Sequence, residues 1–162
     1  MNVPLPTRRS TIVLANRIAP VVLAGDLLIL KGDLGAGKTF FTRALCRALG
    51  VPRQTRVTSP TFTLVHEYVA RLPIFHADAY RIADETEFYG LGLREARSQG
   101  ALLIVEWGGP FIQALGGDAL VLSFTIEPKR SVSITATGPR SRALHAAIQH
   151  AFTSSIECDR PS

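Results

Sequence analysis

Two rhythms of apolar residues alternate along the chain. Leu27-Leu28-Ile29-Leu30 and the stretch from Ala101 to Glu106 are short, continuous apolar runs, the pattern of strands buried on both faces. Residues 38–49 instead place Phe40, Phe41, Ala44, Leu45, Ala48 and Leu49 at helical spacing, and Gly50 with Pro52 supplies a stop. Residues 10–24 read as a helix capped by Ser10 or Thr11, which Pro20 ends or kinks. Thr61 to Val69 alternates as a strand does, with Phe62, Leu64, His66 and Tyr68 on one face, and Ile74 to Ala77 is a second short strand. Asp84 with Glu87 is an N-capping pair for a helix near 84–98. Strands near 119–126 and 131–137 flank the tight connection Glu127-Pro128-Lys129-Arg130, and Leu144, Ile148, Ala151 and Phe152 mark a last helix. Apolar strands alternating with helices predict an α/β fold: a mostly parallel central sheet covered on both faces, with an antiparallel C-terminal strand pair.

The chain of 162 residues is 46% hydrophobic and 19% charged, which suits one domain over 1–162, with residues 1–9 and 154–162 as loose termini. No apolar run is long enough to span a bilayer, so no membrane role is expected. Arg8 and Arg9 precede an apolar stretch as in a signal peptide. Asn16, Arg17, Pro20 and Asp26 interrupt it, and the segment reads as mature protein. Cys46 falls in a helix and Cys158 in a polar tail, without a disulfide or zinc pattern, which fits a reducing cytoplasm. The net charge of +5 owes much to Lys38, Arg43, Arg47, Arg53 and Arg56, with no acid among them between Asp33 and Glu67. Such a block follows the glycine loop and reads as positive potential for a bound nucleotide rather than as a nucleic-acid footprint, because charge alone is weak evidence.

That block begins at Gly32-Asp33-Leu34-Gly35-Ala36-Gly37-Lys38-Thr39, which matches G-x-x-x-x-G-K-[ST] between a buried strand and an amphipathic helix. Glycines let backbone amides turn inward around an anion, and the helix start points its positive end at the same place. Residues Asp33 to Thr39 are therefore the candidate cradle for a nucleotide: Lys38 reaches the β- and γ-phosphates and Thr39 offers its hydroxyl to Mg²⁺. This makes the fold class a P-loop NTPase three-layer sandwich. The absence of an N-K-x-D sequence favours adenine over guanine. An acid at the end of a neighbouring strand must help hold the metal. Glu106 and Asp78 are the candidates. Glu106, ending Leu102-Leu103-Ile104-Val105, is assigned to Mg²⁺, and Asp78 to the attacking water or γ-phosphate. His66, His76, His145, His150 and Trp107 read as structural.

Four blocks in order resemble the bacterial TsaE (YjeE) family of ATPases in tRNA threonylcarbamoyladenosine formation. They are the Gly32–Thr39 loop, Ser59-Pro60-Thr61-Phe62-Thr63-Leu64-Val65, His76-Ala77-Asp78-Ala79-Tyr80-Arg81 and Val105-Glu106-Trp107. Leu91-Gly92-Leu93 adds to the likeness, which covers roughly residues 8–135. Ala77, Ala79 and Gly108-Gly109-Pro110 depart from the usual pattern. The resemblance implies ATP and Mg²⁺, slow hydrolysis alone, and work with a TsaB–TsaD complex that modifies N6 of adenosine 37. The chain would then meet tRNA only through that complex. It also implies a switch-like loop at Ser59–Phe62, Asp78 near the reacting water, and Arg130, with Arg8 less directly, at the adenosine end. Alternatives are a small-molecule kinase with Arg94 and Arg97 on a lid, or a nucleotide-loaded module that does not hydrolyse.

Overall fold

The structure, a computed structural model, describes residues 1–157. Its strands are Asn2–Pro4 (β1), Leu27–Lys31 (β2), Val65–Val69 (β3), Pro73–Asp78 (β4), Leu102–Glu106 (β5), Leu120–Thr125 (β6) and Ser131–Ala136 (β7). Its α-helices are Arg8–Ile18 (α1), Lys38–Ala48 (α2), Glu85–Tyr89 (α3), Leu93–Ser98 (α4) and Pro139–Glu157 (α5). One sheet of seven strands runs in the order β1-β7-β6-β2-β5-β4-β3.

The two apolar runs are neighbours at the middle of the sheet. β2 lies parallel to β5 on one side and to β6 on the other, and β4 lies parallel to β5. Both edges are antiparallel, because β3 pairs antiparallel with β4, β7 with β6, and β1 with β7. The sheet is thus mixed, not mostly parallel, although the antiparallel C-terminal pair is present. The reason is connection length: residues 70–72 and 126–130 are too short for a crossover and can only turn a hairpin.

Alternate residues of the inner strands feed two separate cores, as the period of a strand requires. Leu28, Leu30, Ile104 and Leu122 pack with Leu14 and Ile18 of α1, Phe41 and Leu45 of α2, and Ile148 of α5. Leu27, Ile29, Leu103 and Val105 pack with Phe88 of α3, Leu93 and Ala96 of α4, and Phe111. No helix among the described residues is long and apolar enough to cross a membrane.

Several element boundaries differ from the sequence reading. Residues 1–9 are not a loose arm throughout: β1 extends the sheet, and the Leu5 amide donates to the Arg130 carbonyl at 2.8 Å. Helix α1 starts earlier than expected because Thr7 is the cap, exchanging hydrogen bonds with Ser10 in a capping box, and it ends at Ile18 before Pro20. The strand expected from Thr61 begins only at Val65. The Leu64 amide turns back to the Pro60 carbonyl at 2.6 Å, and Phe62 is left 84% exposed. The helix expected over 84–98 starts as anticipated, with Asp84 accepting from the Glu87 amide at 2.9 Å. It then ends at Tyr89, and Gly92, in the left-handed conformation (φ +66°), opens α4 as a separate helix. Of residues 154–162, the part to Glu157 continues α5, and the rest, Cys158 included, lies outside the described residues.

Candidate functional site

Three parallel strands end side by side and carry the candidate residues to the carboxyl end of the sheet. The register sets Leu30 of β2 opposite Glu106 of β5, and Glu106 opposite Asp78 of β4. The strand order reverses direction around β2, whose neighbours β5 and β6 come from opposite sides. Open α/β sheets bind ligands at such a point, beyond the carboxyl ends of the strands.

β2 leads into the glycine loop and then α2. Gly32 has φ +130°, and a Cβ there would sit 2.4 Å from the Phe124 carbonyl oxygen of β6, so only glycine fits between the strands. Gly37 caps α2 in the left-handed conformation, with no side chain on the helix's first amides. The amides and the helix dipole are therefore available to an anion. Lys38 is 4% exposed. Its Nζ donates to the Gly32 carbonyl at 2.6 Å and the Asp33 carbonyl at 2.9 Å, and lies 4.0 Å above the Trp107 ring. Burial lowers the Lys38 pKa from its ordinary value; Glu106, Asp78 and Asp33 oppose that shift. Trp107 itself adopts φ +60°, an uncommon conformation for a bulky residue, and packs against Tyr80 with the rings tilted 53° and their centroids 5.0 Å apart.

The two carboxylates have different surroundings. Glu106 is 2% exposed, and its oxygens are divided between two partners. Oε2 accepts from the Thr39 hydroxyl at 2.9 Å, and Oε1 lies 2.8 Å from His76 Nε2. The Asp78 carboxylate anchors the Ser59–Thr61 segment: Oδ2 accepts from the hydroxyls of Ser59 and Thr61, and Oδ1 from the Tyr80 amide at 3.0 Å.

Two cavities meet at Gly35, Gly37 and Phe40. The first, about 310 Å³, gathers Lys38, Thr39, Ser59, Thr61, Asp78 and Glu106. The second, about 420 Å³, lies between the loop, the N-terminal segment and β6, and holds Arg8, Thr7, Phe124 and Arg130. Arg130 Nη1 approaches the Ala36 carbonyl at 3.5 Å. The structure therefore brings Gly35, Ala36, Gly37, Lys38, Thr39, Asp78, Glu106 and Arg130 to adjoining cavities. Leu34 borders the first cavity and is 80% exposed, while Asp33 offers its carbonyl to Lys38. Arg97, considered as a lid residue, is committed elsewhere: its guanidinium donates to the carbonyls of Gly25, Leu115 and Asp118.

A magnesium ion is tested by its donor set. A hydroxyl and one carboxylate oxygen are hard ligands, and Mg²⁺ takes one or two carboxylates and completes its shell with water and phosphate. The 2.9 Å between Thr39 Oγ1 and Glu106 Oε2 is close to the roughly 3 Å that separates neighbouring corners of an octahedron with about 2.1 Å bonds. The residues fit the ion.

Sequence reasoning missed His76 and the N-terminal wall of the second cavity. His76 read as a structural strand residue, yet it lies against Glu106; its signal was the i, i+2 spacing to Asp78, which puts both on one face of β4. Leu5, Pro6 and Thr7 wall the second cavity, and nothing in their local pattern marks them.

The family model described as "Threonylcarbamoyl adenosine biosynthesis protein TsaE" matches residues 5–134. A Bacillus subtilis (strain 168) protein named tRNA threonylcarbamoyladenosine biosynthesis protein TsaE is 39% identical over 137 residues, covering 83% of this chain and 84% of the relative. A protein of the same name from Streptomyces coelicolor is 39% identical over 139 residues, covering 78% and 90%. The crystal structure of the Bacillus protein YdiB superposes with a TM-score of 0.76 at 30% identity, covering 93% of this chain and 94% of that one.

Proposed function

The chain belongs to the TsaE family of threonylcarbamoyl adenosine biosynthesis proteins, and from that membership we propose that it is a cytoplasmic, magnesium-dependent ATPase of tRNA threonylcarbamoyladenosine formation. Its partners in this reading are TsaB and TsaD, which transfer the threonylcarbamoyl group, so tRNA is met through the complex. The fold is then a P-loop NTPase three-layer sandwich filling a single domain. The observation that carries the reading is the joint placement of the glycine loop, Lys38, Thr39 and Glu106 at the end of β2, with Thr39 and Glu106 2.9 Å apart.

In this reading the amides from Asp33 to Lys38 receive the β-phosphate, and Lys38 leaves its loop carbonyls for phosphate oxygens. Thr39 and Glu106 hold Mg²⁺, which when bound neutralises charge on the terminal phosphates. Asp78 orients the attacking water in the first cavity, together with the Ser59 and Thr61 hydroxyls that it anchors. Arg130 and Arg8 face the adenosine end in the second cavity. The engagement of Arg97 with three carbonyls supports this reading over a kinase with an arginine-bearing lid.

The test is calorimetric titration of the pure protein with ATP and ADP in magnesium, beside ATP turnover and the modified-nucleoside content of tRNA in cells that depend on it. Wild-type protein takes up both nucleotides; Lys38→Ala abolishes turnover and fails to restore the nucleoside. A folded wild-type protein that binds neither nucleotide overturns the proposal.

A further inference from the structure

His76 is fully buried on β4, and among the described residues its ring has one polar contact, Nε2 to Glu106 Oε1 at 2.8 Å. Nδ1 has no hydrogen-bond partner among the described residues. A buried ring nitrogen without a partner carries a free-energy cost, so a site that keeps histidine here invites an account of what the other nitrogen does. The Nε2 proton belongs toward the carboxylate, because a lone pair facing Oε1 would be repelled. Tyr68 lies 6.5 Å away, centroid to centroid, and β4 and β5 fix the backbones on either side through the Asp78–Glu106 and His76–Ile104 register. The buried ring thus faces one oxygen of one carboxylate.

That contact has a chemical consequence. With Oε1 engaged by His76, only Oε2 remains to face Thr39 and the first cavity, so Glu106 can offer a cation a single oxygen. Mg²⁺ accepts one oxygen per carboxylate in a tight octahedron, whereas Ca²⁺ is larger and gains from a two-oxygen grip. We infer that His76 is a positioning residue that confines Glu106 to one-oxygen ligation and so biases the site toward Mg²⁺ over Ca²⁺. The inference rests on the proposed role of Thr39 and Glu106 at the metal. A hydrogen bond behind a ligating group commonly governs its orientation and is worth about 10–100-fold in metal affinity.

The experiment titrates ADP into folded wild-type protein, His76→Gln, His76→Asn and His76→Leu, by calorimetry in Mg²⁺, in Ca²⁺ and in EDTA, with a melting curve for each. Gln carries an amide nitrogen near the position of Nε2; Asn has the same chemistry but falls short. Expected is a Mg²⁺-dependent tightening that His76→Gln retains and that His76→Asn and His76→Leu lose by about tenfold or more. The Mg²⁺-to-Ca²⁺ preference falls with it. If His76→Asn and His76→Leu melt lower but keep the wild-type preference, His76 is only core filling and the inference is overturned. Equal loss in His76→Gln overturns it too. Should His76→Leu fail to fold, the Gln and Asn pair decides. A wild-type protein that binds ADP identically in Mg²⁺ and EDTA instead overturns the metal reading itself.

Discussion

Thr39 and Glu106 stand 67 residues apart in the chain and share a 2.9 Å hydrogen bond, formed because α2 begins and β5 ends at the same end of the sheet. One carboxylate oxygen and one hydroxyl converge there without disturbing either element. Thr39→Val keeps the shape and removes the hydroxyl. It leaves Glu106 one partner short, a cost of about 1–3 kcal/mol for a buried unsatisfied acceptor. The expected outcome is a fold that persists, nucleotide binding that persists in EDTA, and magnesium-dependent ATP turnover reduced at least about tenfold. Turnover and calorimetry with and without magnesium check it.

Gly32 and Gly35 both have positive φ, but their surroundings differ. A Cβ on Gly32 meets the Phe124 carbonyl oxygen at 2.4 Å, whereas one on Gly35 meets nothing within 4 Å. Gly32→Ala must push β6 away from β2 and is expected to lower the melting temperature by roughly 5–10 °C, corresponding to about 2–3 kcal/mol in a domain of this size. Gly35→Ala carries only the conformational strain of its φ, about 1 kcal/mol, and melts close to the wild type. Its methyl group enters the junction of the two cavities, so it loses nucleotide affinity instead. Paired melting and binding curves separate the two effects.

The parts of this site that could be read from the sequence are those built from neighbours in the chain. The run from Leu27 to Leu49 contains its own strand, glycine loop and helix, and each is set by local spacing and backbone freedom. Glu106 was legible because an acid ends an otherwise apolar run. What stayed hidden depends on distant partners. β1 is three residues long and is a strand only because Val3 pairs with Val132. The alternation from Thr61 to Leu64 resembles a strand, but the Pro60–Leu64 turn and the grip of Asp78 on Ser59 and Thr61 hold it out of the sheet. His76 meets Glu106 through the β4–β5 register, which no window along the chain contains.

Lys38 gives a pH dependence whose sign follows from burial. Its pKa in the free protein is lowered from the ordinary 10.5, so on raising pH it loses its charge earlier than a solvated lysine. A neutral amine no longer attracts phosphate oxygens. ATP affinity is therefore expected to fall on the alkaline side, starting below pH 10.5, while Lys38→Met binds weakly with no such limb. The folding linkage has the opposite slope: between the folded and unfolded pKa values the unfolded chain binds more protons, so this group favours folding as pH rises. Binding isotherms from pH 7 upward, paired with melting curves, test both signs.

Cys46 lies on the inner face of α2 with no exposed surface, and burial pushes its thiol pKa up to about 12. Reaction with alkylating reagents needs the thiolate and access, and both are denied here. Peptide mapping after iodoacetamide treatment at pH 8 is expected to find Cys46 unmodified in the native protein and fully modified in denaturant. Because the folded pKa exceeds the unfolded value of 9.0, the stabilising contribution of this thiol is complete below pH 9 and is lost as pH climbs toward 12. Modification of Cys46 under native conditions at a rate near that of the denatured chain would mean that α2 opens readily from the sheet.

Arg97 ties three loops together from a single side chain. Nε donates to the Gly25 carbonyl at 3.0 Å, Nη1 to the Leu115 carbonyl, and Nη2 to the Asp118 carbonyl at 2.7 Å. These carbonyls lie before β2, after the Gly109–Phe111 turn and before β6, at the sheet end away from the glycine loop. Burial lowers the Arg97 pKa, with Asp118 opposing, but a guanidinium stays charged at any physiological pH and keeps all its donors. Removing the fork leaves three carbonyls to find water in a partly closed space, so Arg97→Ala is expected to cost about 2–4 kcal/mol. Arg97→Lys should recover only part of that, because a compact ammonium on a flexible stem cannot span three acceptors in one plane. Magnesium-dependent ADP affinity of the folded fraction should be unchanged in both variants, since the fork lies at the opposite end of β2. A lysine variant as stable as wild type would show that charge alone, not the planar fork, holds these loops.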